Sequence, residues 1–236
     1  MKKRNLLIAV FLLSALLATQ TGKSQILISL LLGDKLNSGK IEFGLTGGYG
    51  LTNMRGDSGP DHLNTFFLGF YFDFLLNQDK PWYLYTGVLV KSKVGDAGYS
   101  PYSLADPELD SVFTGGSISR EIGYFYVPLE IKYRFQNKFF ISAGGQVGLR
   151  NSATDKFRNS INNDNDLTFE KDIRENIARI DAGISGGLGY KMMKGLGMSI
   201  GIRYYYSLVD VIKSKDVNGS PTAFYIHADI PIGLKK

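Results

Sequence analysis

Apolar and polar residues alternate with a period of two along most of the chain beyond residue 40, a pattern typical of β-strands with two different faces. Segment 123–135 shows it most clearly. One face comprises Phe125, Val127, Leu129, Ile131, Tyr133 and Phe135, and the other comprises Tyr124, Tyr126, Pro128, Glu130, Lys132 and Arg134. The first face suits an apolar environment, and the second, with its mixture of charged and aromatic side chains, suits a crowded polar interior.

The same alternation recurs often enough to predict eight strands, joined in turn by short and long connections. The strands are predicted over 41–53, 66–76, 82–93, 123–135, 139–150, 178–188, 196–207 and 224–233. The short connections are 77–81, 136–138 and 192–195, and the long ones are 54–64, 94–119, 151–176 and 209–221. Barrels of bacterial outer membranes have this asymmetry. We therefore predict an all-β fold, an eight-stranded antiparallel transmembrane β-barrel with short periplasmic turns and long extracellular loops.

The aromatic residues agree with a barrel surrounded by outer-membrane lipid, because many of them fall near predicted strand ends, where aromatic girdles meet the two membrane surfaces. They are Tyr49, Trp82, Tyr133, Phe135, Tyr190, Tyr204 and Tyr206. The alternative is a water-soluble barrel or sandwich with its apolar face packed inside. Such a protein would carry many Lys and Glu on the second face, which here holds mostly Gly, Ser, Tyr and single charges.

The first residues have the three parts of a signal peptide: the cations Lys2, Lys3 and Arg4, an apolar run of 13 residues over 6–18, and small residues before Gln25. We predict a cleaved signal peptide over 1–24, a periplasmic segment over 25–40 and the barrel over 41–236.

Lys23 and the three leading cations supply four of the five net positive charges, so a mature chain of net charge +1 gives no support to nucleic-acid binding. The chain has no cysteine, which excludes disulfides and a lipoprotein anchor.

Charged residues on the second face are the most informative chemistry of the chain. An eight-stranded barrel is only wide enough inside for side chains, so opposite charges there are expected to pair and close the lumen. We predict Glu130 with Arg203, or Asp229 with Arg179, as pairs within a structural network. A gated ion path or a small ligand site is the alternative. The predicted network comprises Glu42, Asp73, Lys91, Glu130, Lys132, Arg134, Arg150, Arg179, Asp181, Arg203, His227 and Asp229.

No set of residues predicts catalysis, a metal or a cofactor. Ser58 lies in a segment similar to the nucleophile segment of trypsin-like proteases, but His62 is too near in sequence to complete a triad. The run 162–166 offers oxygen ligands without the spacing of a calcium loop. The tripeptide 55–57 matches an adhesion motif and 110–112 a glycosylation pattern, and ordinary polar loops explain both.

Three stretches of the chain resemble PorT-like outer-membrane barrel proteins of Bacteroidota. They are the entry into the first strand, Leu-Gly-Asp-Lys-Leu-Asn-Ser-Gly-Lys-Ile-Glu-Phe-Gly at 32–44; Tyr-Val-Pro-Leu-Glu-Ile-Lys-Tyr-Arg-Phe at 126–135; and the junction Ser24-Gln25. The resemblance implies an eight-stranded barrel with a narrow interior and, in some members, a supporting role in protein secretion or outer-membrane assembly, not an enzyme. One departure concerns insertion: the sequence ends Gly-Leu-Lys-Lys, where many barrels have an aromatic residue.

The function expected from these observations is that of a non-enzymatic accessory or structural subunit of an outer-membrane complex in a Gram-negative bacterium. Its partners would be other outer-membrane or periplasmic proteins, and an apolar run before the first strand supplies a candidate contact, for which a short interfacial helix is suitable. The contact residues are Ile26, Leu27, Leu30 and Leu31. A small channel or transporter, and an adhesive barrel acting through its external loops, are the alternatives.

Overall fold

The computed structural model describes residues 40–56, 59–77, 80–160, 167–192, 197–213 and 218–232. Their strands are β1 (Ile41–Gly56), β2 (Asp61–Leu75), β3 (Trp82–Lys91), β4 (Lys93–Tyr99), β5 (Ser117–Arg134), β6 (Phe139–Asn159), β7 (Leu167–Asp172), β8 (Ile180–Lys191), β9 (Ser199–Ser207) and β10 (Gly219–Pro231). Helix α1 (Pro107–Phe113) lies between β4 and β5, and a single 3₁₀ turn, Arg174–Asn176, follows β7. The predicted segment 25–39 lies outside the described residues.

Every strand pair is antiparallel, and the hydrogen-bonded series closes on itself because β1 pairs with both β2 and β10. The ring runs β1, β2, β3, β5, β6, β8, β9, β10, so eight strands form its wall. Strand β4 continues β3 after a break at Ser92, and β7 pairs only with the far part of β6. The predicted ring of eight antiparallel strands is confirmed.

Connections of two kinds lie at opposite ends of the ring, as predicted, but the strands are longer than the alternation indicated. The predicted loop 54–64 is mostly strand, because β1 ends at Gly56 and β2 begins at Asp61. Strand β6 has 21 residues and extends to Asn159, well into the predicted loop 151–176. We call the end with the connections 76–81, 135–138 and 192–198 the turn end, and the opposite end the loop end.

The apolar face of the strands points away from the ring. Leu129 is 57% exposed and Phe66 is 55% exposed, whereas Tyr126 and Glu130 on the other face of β5 are buried. A soluble barrel would have the reverse arrangement, so that alternative is wrong. We call this outer surface the apolar belt. Along β5 it runs from Phe125 to Phe135, the residue just after the strand, which corresponds to a height of roughly 25 Å at the usual rise and tilt.

Aromatic side chains mark the turn-end edge of the apolar belt. The ring of Trp82 lies 4.7 Å from that of Tyr133, which in turn lies 4.9 Å from Phe135. On the neighbouring strands Phe139 and Tyr190 pack edge to face at 5.1 Å. These contacts place four of the predicted girdle residues in one band, where their rings can sit between apolar and polar surroundings.

The interior of the ring is divided along its axis. The half near the turn end holds the charged side chains, and the half near the loop end holds an apolar cluster. That cluster comprises Met54, Phe67, Leu89, Val94, Ile122, Tyr124, Tyr126, Ala153, Ile173, Ile177, Tyr205, Val211, Ala223 and Tyr225. Inward-facing glycines make room for these large rings: a Cβ on Gly148 would lie 2.4 Å from the ring of Tyr126. Alternating small and large residues are how a narrow barrel fills its interior.

Beyond the apolar belt, the strands continue into a second packed unit that we call the extension. It comprises β4, β7, α1 and the parts of β5 and β6 at 117–123 and 151–159. Helix α1 begins at Pro107, where the carboxylate of Asp106 accepts hydrogen bonds from the amides of Glu108 and Leu109. Phe113 of this helix packs against Phe157 of β6, and the two form a small apolar core separate from that of the ring.

Candidate functional site

Three layers of polar side chains cross the interior near the turn end. In the layer nearest the turn end, Asp73 on β2 contacts Lys132 on β5. The amine and the carboxylate are 2.9 Å apart, and both side chains are 2% exposed. Arg134, two residues further along β5, lies 3.5 Å from the same carboxylate and donates to the hydroxyl of Tyr83 at 3.2 Å. One aspartate on one wall therefore holds two cations of another wall.

The same layer contains an ion pair that the sequence analysis missed. Lys191 on β8 contacts the carboxylate of Glu42 on β1, and the hydroxyl of Tyr71 donates to that carboxylate at 2.9 Å. Lys191 lies beyond the predicted strand 178–188, so its direction was not considered. The alternation continues to this residue, however, and placing it on the face of Asp181 would have identified it as inward.

The middle layer contains the predicted pair of Glu130 and Arg203, whose carboxylate and guanidinium are 3.0 Å apart. Glu130 is fully buried, and its carboxylate also accepts a 2.7 Å hydrogen bond from Ser185. The ring of Tyr85 lies beside both cations of this region, 4.2 Å from the Lys132 amine and 4.6 Å from the Arg203 guanidinium. The layer thus spans β3, β5, β8 and β9 and crosses the full width of the ring.

The third layer is built on Asp181, which is fully buried and holds hydroxyl groups. Its carboxylate accepts from Tyr126 at 2.6 Å, Tyr205 at 2.9 Å and Ser207 at 2.5 Å. The two tyrosine rings belong to the apolar cluster of the loop-end half. Asp181 therefore joins the charged half of the interior to the apolar half, because each of these tyrosines has a hydroxyl at one end and an apolar ring behind it.

His227 and Asp229 also lie inside, on β10, and they are 4% and 1% exposed. Their side chains approach to 3.9 Å. The predicted pairing of Asp229 with Arg179 is wrong. Asp229 is level with Ser199 near the turn end, whereas Arg179 precedes β8 at the loop end and is exposed.

Two residues of the predicted network do not point inward. Arg179 lies outside the strand, where alternation no longer sets the direction of a side chain. Lys91 lies in β3, but the pairing of β2 with β3 shifts register between Leu68 and Gly69, so Lys91 is opposite Leu68 and is exposed on the outer surface. An extra residue in one strand reverses the faces beyond it. Arg150 lies opposite the buried Tyr124, at the loop end of the predicted network.

Taken together, these layers fill the interior rather than line a path through it. Side chains from strands that are not neighbours in the ring meet at hydrogen-bonding distance in each layer. Above these layers, the apolar cluster includes Tyr124, Tyr126 and Tyr205, all fully buried. Each ion pair contributes less to stability than its short distance suggests, because both charges lose hydration. Separating a pair would leave a buried charge, so the arrangement favours one fixed, closed state.

A cleft of about 450 Å³ opens at the loop end, beside the extension. Its floor is apolar, formed by Ile173, Ile177 and Ile212, and it rests on the apolar cluster of the ring. Its wall contains Asp155, which accepts from the hydroxyl of Tyr102 at 3.1 Å and forms two hydrogen bonds with Arg120. The cleft also includes Lys171, Asp172, Asn176 and Lys213.

The carboxylates of the extension are held by local donors. A side-chain hydrogen bond from Arg174 lowers the pKa of Asp172 at the rim of the cleft. In the loop that contains α1, the Ser103 hydroxyl and the Leu104 amide donate to Asp110 and lower the pKa of its carboxyl. Both aspartates are therefore ionised at neutral pH. The amine of Lys171, which lines the cleft with Asp172, lies 4.7 Å from the ring of Tyr102.

The remaining motifs of the sequence do not assemble into a catalytic or metal site among the described residues. His62 is exposed, with Nδ1 3.3 Å from the Asn53 amide, while Ser58 and the run 162–166 lie outside the described part of the chain. Arg55 of the adhesion tripeptide contacts the hydroxyl of Tyr206 and the carbonyl of Ser207 at 2.5 and 2.6 Å. Within the described ranges, no three metal-ligating side chains cluster, and no helix is long and apolar enough to cross a membrane.

Comparison with solved structures finds matches over most of the chain at low sequence identity. Ail, the attachment invasion locus protein of Yersinia pestis in complex with the heparin analogue sucrose octasulfate, is 14% identical, with 82% of this chain and 99% of that chain covered and a TM-score of 0.42. Neisserial surface protein A is 12% identical, covering 80% and 96%, with a TM-score of 0.41. OprG of Pseudomonas aeruginosa is 14% identical, covering 83% and 97%, with a TM-score of 0.38.

No curated protein matches the chain in sequence. A family model does match, and it covers residues 24–213, which is most of the chain and includes nine of the ten strands in full. The model describes an outer membrane protein β-barrel domain. The closed ring of eight strands and the apolar belt on its outer surface agree with that description. The chain belongs to the outer membrane protein β-barrel domain family, and its location is the outer membrane.

Proposed function

We propose that this protein is a non-enzymatic, non-conducting barrel that serves as an accessory or structural subunit of an outer-membrane secretion or assembly complex. The observation that carries the proposal is the filled interior, in which Glu130, Arg203 and Asp181 make contacts between strands that are not neighbours in the ring. A ring whose interior is filled by side chains cannot itself be the route of a solute. Its contribution would then come from surfaces outside the belt, and the extension is one of these with its own packed core.

The extension is suited to contact with another protein. It is ordered by its own apolar core around Phe113 and Phe157, so it can present a fixed surface. Within the described ranges, strand β7 pairs with β6 alone, and Lys171 and Asp172 at its end line the cleft. A strand edge of this kind can accept a further strand from a partner. The residues Ile26, Leu27, Leu30 and Leu31, outside the described part, are a second proposed contact.

The test is site-specific photo-crosslinking in intact cells. A photoreactive amino acid replaces Thr168 on β7, Leu30 in the amino-terminal segment, or Asn77 at the turn end as the matched control, and the adducts of the tagged barrel are compared. We expect one adduct of defined mass from Thr168, from Leu30 or from both, and none from Asn77. If neither test position gives an adduct, or if the control gives the same one, the subunit role is wrong.

Surface binding through the loop end is the second candidate, and the cleft is the observation that favours it. A concave site with an apolar floor and polar rim is the usual form of a small-ligand site. Substituting Ile177→Asp would place a charge on its floor, and Glu175→Gln, on the exposed 3₁₀ turn, is the control. Loss of a cell-surface binding phenotype with the first variant alone would support this candidate over the subunit role.

A further inference from the structure

Four basic side chains lie on the outer surface just beyond the loop-end edge of the apolar belt: Lys91, Lys93, Lys156 and Arg158. We call them the cationic patch. The apolar belt ends at Phe125 on β5 and at its partner Leu149 on β6. The patch occupies β3, β4 and β6 around the next part of β5, so it faces the zone in which a membrane changes from hydrocarbon to headgroups.

Lys91 is the member nearest to the apolar belt. It lies opposite Leu68, which is 40% exposed, and its amine is 6.0 Å from the ring of Phe66. A lysine in this position lays its aliphatic stem along apolar surface and keeps its amine in the polar zone. The register shift that turns Lys91 outward therefore puts a cation at the edge of the apolar belt, where the alternation alone would have put it inside.

Lys93 follows on the same outer face and is held by Glu121 of β5, with 2.5 Å between amine and carboxylate. Two further cations reach the same carboxylate, Lys156 at 3.9 Å and Arg158 at 3.5 Å. Glu121 is only 12% exposed, while Lys93 is 44% exposed. The glutamate thus acts as an inner anchor that orients three cations, and its single negative charge leaves the cluster positive.

A second carboxylate, that of Glu170, pairs with Lys156 at 2.7 Å on the side away from the belt. Counting both glutamates, the patch holds four positive and two negative charges, and the two lysines beside the belt are the most accessible to a membrane. Anions attract such a pair most strongly at the edge of a low-dielectric region. A lipid phosphate lies at that depth, next to the chains that contact the belt.

We propose that the cationic patch binds the phosphate group of a phosphorylated lipid in the leaflet around the loop end, with Lys91 and Lys93 as the direct contacts. The assignment rests on the proposed orientation, in which the loop end faces outward. Lysine amines bind phosphate oxygens through charge-assisted hydrogen bonds, while the acyl chains of the same lipid would cover the apolar belt near Phe66 and Phe125. The phosphate would thereby fix the depth of the barrel in the membrane.

The experiment measures lipid binding to the full mature chain refolded in zwitterionic detergent, by native mass spectrometry. The probes are lipid A with its phosphomonoesters, the same lipid after phosphatase treatment, and inorganic phosphate as a competitor. The test variant is Lys91→Gln with Lys93→Gln. The control is Lys80→Gln with Lys138→Gln, which removes the same charge from an exposed and a partly buried position at the turn end. Heat-modifiable gel mobility shows that each variant is folded.

We expect the wild type to prefer the phosphorylated lipid and the test variant to lose affinity by about fivefold per lysine, or about 30-fold for both. The control should keep the preference. Equal losses in both variants, no preference in the wild type, or full displacement by millimolar inorganic phosphate would each overturn the proposal. Photo-crosslinks without lipid preference would remove this inference alone, and lipid preference without photo-crosslinks would remove the subunit role alone.

Discussion

Single residues matter most inside the ring, where a charge has no solvent to replace a lost partner. Glu130 and Arg203 are the clearest case, since their side chains are 0% and 3% exposed and lie 3.0 Å apart. We expect Glu130→Gln to lower the free energy of unfolding by about 3–5 kcal/mol, because it leaves the guanidinium buried without its counter-ion. Urea unfolding followed through the fluorescence of Trp82, the single tryptophan, measures the change.

A double replacement tests the same pair more strictly. Glu130→Gln combined with Arg203→Met should recover much of the loss, because the buried charge is then gone. Glu108→Gln, on the exposed surface of α1, is the control and should leave the unfolding free energy unchanged. A loss in the double variant equal to the sum of the single losses would show that the two side chains act independently.

Glycines offer a second residue-scale prediction, from two positions three residues apart on β6. A methyl group on Gly148 would lie 2.4 Å from the ring of Tyr126, which its hydrogen bond to Asp181 keeps in place. On Gly145, the nearest atom would be 3.6 Å away. Gly148→Ala should therefore destabilise the barrel by about 1–3 kcal/mol, and Gly145→Ala should be tolerated. Equal unfolding midpoints for the two variants would contradict this account of the interior.

At the scale of elements, the two ends of the ring are expected to lie on opposite sides of the outer membrane, and a labelling experiment can test this orientation. The chain has no cysteine, so a single introduced thiol reports its own position without background. We expect Ser111→Cys on α1 to react with a membrane-impermeant maleimide in intact cells, because the extension faces outward in the proposed orientation. Asn137→Cys, exposed in the turn between β5 and β6, should react only after the outer membrane is opened. The reverse result would invert the orientation.

For the whole molecule, the filled interior predicts the absence of conduction. Purified wild-type protein in a planar bilayer should show no steady ionic current at neutral pH, because charged layers and an apolar cluster lie in series along the axis. A general porin in the same lipid is the positive control for insertion. Stable, voltage-proportional current steps from the folded wild type would mean that the interior opens, and the channel alternative would replace the subunit role.

The alternation of the chain was sufficient to determine the number of wall strands and which face of each carries apolar residues, because a strand directs successive side chains to opposite sides. It also indicated which ends of the strands have the longer connections. From the same faces followed the inward direction of Glu130 and Arg203. Opposite charge in a narrow space suggested their pairing as one of two alternatives, of which the other, Asp229 with Arg179, was wrong. The predicted signal peptide and the contact at 26–31 lie outside the described residues and stay predictions.

A pattern with period two is identical for a strand turned inside out, so the sequence predicted the outward apolar face only from the small and singly charged residues of the second face, and the tertiary structure confirmed that direction. Only the tertiary structure decided the features that depend on pairing between strands distant in sequence. The register shift beside Leu68 turns Lys91 outward, β6 extends to Asn159 because β5 and β7 continue alongside it, and Lys191 meets Glu42 across the ring. A residue's position in the alternation determines its face where the strand has no bulge, but bulges and partners are set by the pairing of strands around the ring.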